Sequence, residues 1–150
     1  MLRTLVGYDD TPASKSALAW ATRHVQRVPG ELVVAYVSSS ALEWELAAVQ
    51  VNADPLRREF ARRLQEEWTE PLRQAGVSYE TRVLDGRPAD ALLRCADDEG
   101  VELIVVGMTG RGTLNELLMG STTHQLLHRS AQRVRPIVAV PAGWTSDGSA

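Results

Sequence analysis

Cysteine is almost missing from this 150-residue chain, in which Cys95 stands alone. A lone cysteine excludes an intramolecular disulfide framework and a multi-cysteine metal site. It lies in "ADALLRCADDEG", a stretch of helical periodicity, where it reads as a small hydrophobe. Long apolar runs are missing too, and none reaches the length of a membrane span. The opening "MLRTLVGYDD" enters a strand pattern at once, without a signal-peptide hydrophobic region or cleavage site, so the expected compartment is the cytoplasm. An excess of positive charge is lacking as well. The formal net charge of −3 gives no general attraction to nucleic acid or to anionic membrane, and neither is expected as a partner.

What remains has the composition of a globular protein, with 44% hydrophobic and 23% charged residues. The length suits one domain with a real core. Without a repeat, a low-complexity segment or a composition break, the expectation is a single domain over residues 1–150, with 142–150 as a flexible tail.

Short runs rich in Val, Ile and Leu alternate with longer segments of helical spacing. "LRTLVGY" reads as a first strand; Thr11-Pro12 then supplies a helix cap and a first-turn proline. Ala17, Leu18, Ala21, Val25 and Val28 mark the apolar face of that helix, which Pro29-Gly30 stops. "ELVVAYV" is a second strand, apolar enough to be covered on both faces. "SSSALEWELAAVQVNADP" has poor periodicity and reads as a connector. From about Pro55, Leu56, Phe60, Leu64, Trp68 and Leu72 recur every fourth residue, with Glu59 and Arg63 placed to pair. Pro71 is expected to kink or interrupt this helix and Gly76 to end it. "VSYETRVL" alternates like a half-exposed strand, and a helix closed by Gly100 follows. "VELIVVG" and "RPIVAVP" are two further strands, separated by a glycine-rich stretch and a helix. Alternation of this kind predicts an α/β fold with a doubly wound, five-stranded parallel sheet.

Ligands of such sheets gather beyond the carboxyl ends of the strands. Two strand ends here are chemically distinctive. The first closes in Tyr8-Asp9-Asp10 and the fourth in Gly107-Met108-Thr109-Gly110-Arg111-Gly112. Gly107 and Gly110 carry no Cβ, so the chain can turn sharply and approach a ligand. Gly120-Ser121-Thr122 then opens a helix, whose N–H groups suit phosphate, and Arg111 offers a full positive charge. Local features alone leave a plain turn with a Ser121 cap equally open. Asp9 can accept a hydrogen bond from a ribose hydroxyl or an exocyclic amine, or form an Asx turn. Asp10-Thr11 is equally able to cap the helix, and Tyr8 either shields the same space or packs. No lysine precedes Ser121, which excludes a P-loop, and the glycines do not read GxGxxG.

The combination Gly107-x2-Gly110-x9-Gly120-Ser121 resembles the nucleotide-binding signature of the universal stress protein family. "LVGYDDTPASKSALAWA" is similar to that family's first strand and helix and "RPIVAVP" to its last strand, so the likeness covers essentially residues 2 to 141. The resemblance implies a Rossmann-like fold of the adenine nucleotide α-hydrolase type with strand order 3-2-1-4-5, in which Asp9 and Gly107 flank the switch point. It also implies a bound adenine nucleotide, ATP first with ADP or AMP as alternatives, and Mg2+ as compatible. Asp9 would meet the adenosine and Val37 the adenine. Gly107, Met108 and Gly110 would admit ribose and phosphate, and Gly120, Ser121 and Thr122 would hold the phosphates. Where the family commonly has Gly-Ser, this chain has Asp10-Thr11, a departure expected to alter only the turn. "SAQRVRP" likewise stands where the family commonly has a proline near residue 131.

By that strand order, the last strand, Pro136 to Pro141, is an apolar edge, and pairing with a second copy across a two-fold axis would cover it. The expected role is a nucleotide-responsive regulatory or stress-tolerance module rather than a fast enzyme. Two alternatives stand beside it: a dimeric interaction module with a vestigial pocket, and an enzyme related to the ATP pyrophosphatases, with slow ATP hydrolysis. His124 and His128, one turn apart, lack a third ligand and make a poor metal site. Trp20, Trp44, Trp68 and Trp144 share no spacing and read as packing residues.

Overall fold

The computed structural model describes residues 2–38, 48–50, 52, 54–108, 125–126 and 135–147. Strand β1 (Leu2–Gly7) leads into helix α1 (Pro12–Arg27) and strand β2 (Gly30–Ser38). Helix α2 (Asp54–Arg63), a π-helical turn (Leu64–Trp68) and helix α3 (Glu70–Ala75) lead to strand β3 (Tyr79–Asp85). Helix α4 (Pro88–Asp98), strand β4 (Leu103–Met108) and strand β5 (Ile137–Pro141) complete the described elements. All described pairings are parallel, and the order is β3-β2-β1-β4-β5. The α/β fold and the expected strand order are therefore borne out. Most of the connector, the glycine-rich stretch after Met108, Trp44 and both His124 and His128 lie outside the described residues.

Side-chain alternation divides the core into two layers. On one face Leu5, Val33, Ala35, Ile104 and Val106 pack with α4 and Leu126. Cys95 belongs to this layer, where burial pushes its thiol pKa up. On the other face Val6, Val34 and Val105 pack with α1 and with Leu64 and Leu72. The central strands are apolar toward both layers, as a doubly covered parallel sheet requires.

The long helix expected from Pro55 to Gly76 is interrupted, for two physical reasons. Apolar residues every fourth position drift by about 40° per step in an α-helix, so Leu56 through Leu72 cannot share one face. A π turn holds more residues per turn and recovers the drift. It leaves Leu64 and Leu72 buried and packs Trp68 against the same layer. Pro71 then has no N–H to continue the ladder. Thr69 Oγ1 instead donates to the carbonyls of Leu64 (2.8 Å) and Gln65 (3.0 Å), and Arg73 donates to those of Gln65 (2.7 Å) and Glu66. Gly76 ends α3 at φ 67, as expected, with Val77 N–H closing back to Leu72. Arg63 Nε donates to Glu59 at 3.1 Å, the pair the spacing suggested.

At the amino end of the sheet, Arg3 pairs with Glu31 (2.6 Å) and Glu99 (2.8 Å). Arg82 on β3 meets Glu99 (2.7 Å) and Glu80 (2.5 Å). These charges tie three strands and the end of α4 together. Residues 142–147, read from sequence as part of a tail, lie along α1. Gly143 N–H donates to Ser16 Oγ (3.1 Å), Arg23 donates to the carbonyl of Ser146, and Trp144 packs on the α1 layer.

Candidate functional site

The order reverses at β1, which has β2 on one side and β4 on the other. The carboxyl ends of β1 and β4 thus flank the switch point, with the start of α1 above them. Tyr8, Asp9 and Asp10 form the turn between β1 and α1, and Gly107 and Met108 end β4.

The turn is built as a closed set of hydrogen bonds. Thr11 caps α1 by accepting from Ser14 N–H (3.2 Å), and its hydroxyl donates to Asp9 Oδ1 (2.5 Å). Thr11 N–H reaches the same Asp9 oxygen (3.2 Å). Ser14 Oγ accepts from Asp9 N–H (3.3 Å) and donates to the Thr11 carbonyl (3.0 Å). The expected Thr11 cap and Pro12 at the first helical position are both present. Asp9 forms the Asx turn that was one of its two readings, and both bonds fall on Oδ1. Asp9 is exposed, and among the described residues no hydrogen bond falls on its Oδ2.

Asp10 adopts a left-handed backbone, φ 63, which glycine takes without cost and aspartate tolerates better than most residues. Its Oδ1 accepts from the Tyr8 hydroxyl at 3.2 Å and lies 3.7 Å from Lys15 Nζ. Tyr8 is only 5% exposed. Its ring meets Trp68 at 5.5 Å, and burial followed by the Asp10 charge raises its phenol pKa well above the ordinary range. Tyr8 therefore packs behind the turn, the second of its two readings. Trp68 also meets Tyr36 (5.7 Å), which stacks on Phe60 (4.6 Å). The Tyr36 phenol pKa is raised by burial and then by the Asp9 charge. Phe60 and Trp68 were read as members of the four-residue repeat, but their meeting with Tyr8 and Tyr36 was not foreseen, because periodicity does not report contacts between separate elements.

Gly107 has no positive φ; the described glycines that do are Gly76, Gly86, Gly100 and Gly143. Its lack of a side chain is required for another reason. A Cβ there would stand 2.4 Å from the carbonyl carbon of Ala13 and 2.5 Å from its oxygen. The close approach made possible by Gly107 is that of α1 to β4, which seats the capped helix start over the crevice. Val37 is half-buried at the end of β2, on the opposite layer from Tyr36. Met108 ends β4 opposite Pro141, and its carbonyl accepts from Ala142 N–H (2.9 Å). Gly110, Arg111, Gly120, Ser121 and Thr122 lie outside the described residues. Among the described residues no group of three or more His, Cys, Asp or Glu is placed to hold a metal, and no helix is long and apolar enough to cross a membrane.

The profile of the universal stress protein family matches residues 1–135. The chain belongs to the universal stress protein family. Universal stress protein YxiE of Bacillus subtilis is 30% identical over 83% of this chain and 90% of its own length. Universal stress protein Rv2005c of Mycobacterium tuberculosis is 35% identical over 90% of this chain, which spans only 44% of that relative. Two solved relatives show the same fold. A universal stress protein in complex with cAMP superposes with a TM-score of 0.71 at 24% identity, over 95% of this chain and 98% of that one. The universal stress protein from Archaeoglobus fulgidus in complex with dAMP gives 0.69 at 15% identity, over 93% and 98%.

Proposed function

We propose that this universal stress protein binds an adenine nucleotide in the crevice beyond β1 and β4 and serves as a nucleotide-responsive regulatory module. The observation that carries the reading is the exposed Asp9 carboxylate at the switch point, one oxygen anchored to Thr11 and the other without a hydrogen bond among the described residues. Relatives of the same fold hold cAMP and dAMP, which supports the class of ligand. In this reading Asp9 accepts from a ribose hydroxyl or an exocyclic amine, Val37 gives the base an apolar contact, and Gly107 and Met108 form the floor. Gly110, Arg111, Gly120, Ser121 and Thr122 take the phosphates of ATP, with ADP and AMP as shorter alternatives and Mg2+ compatible. The β5 edge, Ile137–Pro141, which among the described strands meets only β4, pairs with a second copy of the chain, whereas β3 carries Glu80, Arg82 and Asp85 along the opposite edge.

Calorimetry with ATP, ADP, AMP and cAMP tests the ligand. Absence of heat with all four overturns it. A second reading, a dimeric interaction module with a vestigial pocket, is favoured by one observation: the polar groups of the turn satisfy one another internally. It predicts dimerisation by light scattering without any nucleotide affinity.

A further inference from the structure

We propose that Tyr8 is a positioning residue, whose buried hydroxyl holds Asp10 in the left-handed turn that presents the Asp9 carboxylate to the crevice. The inference rests on the nucleotide reading for its ligand and on geometry for its device. The chain must reverse between β1 and α1 within Tyr8-Asp9-Asp10-Thr11, and Asp10 makes the reversal at φ 63. For an L-residue that conformation is disfavoured, and a bond from its own side chain to a fixed neighbour offsets part of the bias. The Tyr8 hydroxyl is such a neighbour, 3.2 Å from Asp10 Oδ1.

Tyr8 is fixed in turn. The residue is 5% exposed and its ring meets Trp68, which belongs to the π turn. The phenol stays protonated across the ordinary pH range, because burial and the Asp10 charge both oppose its ionisation. Lys15 Nζ stands 3.7 Å from the same Asp10 oxygen and is largely exposed, so it adds a screened attraction and no fixed geometry. A chain of contacts therefore runs from the π turn through Trp68, Tyr8 and Asp10 to Asp9. At 3.2 Å the hydroxyl bond is long, so the effect on affinity is severalfold rather than hundredfold.

The test is a double-mutant cycle with Tyr8→Phe and Asp10→Gly. Phenylalanine keeps the ring against Trp68, and glycine takes positive φ without a partner. With ATP by calorimetry, Tyr8→Phe is expected to weaken binding roughly three- to tenfold when Asp10 is present. Added to Asp10→Gly, it should change affinity no further. The same four proteins unfolded in urea without nucleotide should lose midpoint on Tyr8→Phe in the Asp10 background and much less in the glycine background. Unchanged affinity in Tyr8→Phe overturns the inference, as does an equal loss in both backgrounds, which would assign Tyr8 to core packing. Failure of the unsubstituted protein to bind any adenine nucleotide defeats the functional reading. The urea cycle then decides the device by itself, and equal midpoint losses overturn it.

Discussion

Gly107 and Ala13 stand so close that a methyl group on Gly107 would lie 2.4 Å from the Ala13 carbonyl carbon. The obstacle is backbone, so no side-chain rotation relieves it, and either β4 or the first turn of α1 must shift. Gly107→Ala is expected to lower stability by about 1 to 3 kcal/mol, the usual range for overpacking a closed contact. Nucleotide affinity should fall with it, since the displaced turn carries Asp9. An unfolding midpoint equal to that of the parent would contradict the contact.

Gly110 should behave differently. In the proposed site its backbone meets the ligand rather than α1, so Gly110→Val is expected to reduce ATP affinity at least tenfold by closing off main-chain approach. Equal affinities by calorimetry would mean that the glycine loop is a turn and nothing more.

These two glycines show how far the sequence could be read. The sheet and its parallel sense were legible because short apolar runs alternate with helical segments, and the helix ends because Thr11-Pro12 and Gly76 report local geometry. The strand order came with the family likeness, since periodicity carries no information on which strands are neighbours. Gly107 was recognised as a position of close approach, but its partner is Ala13, a contact between elements nearly a hundred residues apart. The π turn was half legible: Pro71 announced a break, and the drift of a four-residue repeat supplies its form. Asp10 at φ 63 and the Tyr8–Trp68 contact were not legible, because both depend on what the π turn brings beneath the β1–α1 turn.

Glu99 gives a prediction in pH. Arg82 and then Arg3 donate to its carboxylate and hold its pKa below the ordinary glutamate value. A folded pKa below the unfolded one gives stability that is complete above the unfolded value, about 4.3, and is lost as pH falls through the folded value. Glu99→Gln should therefore cost about 1 to 2 kcal/mol at pH 7, a difference that shrinks as the pH falls below the unfolded value. Urea midpoints from pH 7 to pH 3 read this directly. Parallel curves for parent and variant would show that the pairing contributes nothing specific.

Thr69 tests the device that supports the aromatic group. It is completely buried, and its hydroxyl is shared between the carbonyls of Leu64 and Gln65, at 2.8 and 3.0 Å. Pro71 supplies no amide to this region, and Arg73 covers Gln65 and Glu66 but makes no bond to Leu64 among those described. Thr69→Val preserves the shape and removes the donor, leaving the Leu64 carbonyl buried without that partner. A loss of about 1 to 3 kcal/mol is expected. Because Trp68 is the neighbouring residue and carries the contact to Tyr8, ATP affinity should weaken in the same direction as in Tyr8→Phe. Thr69→Ser keeps the hydroxyl and should retain most of the affinity, which separates the hydrogen bond from the methyl group's packing. A valine variant as stable as the parent would mean that apolar packing of Leu64, Trp68 and Leu72 suffices to hold the turn.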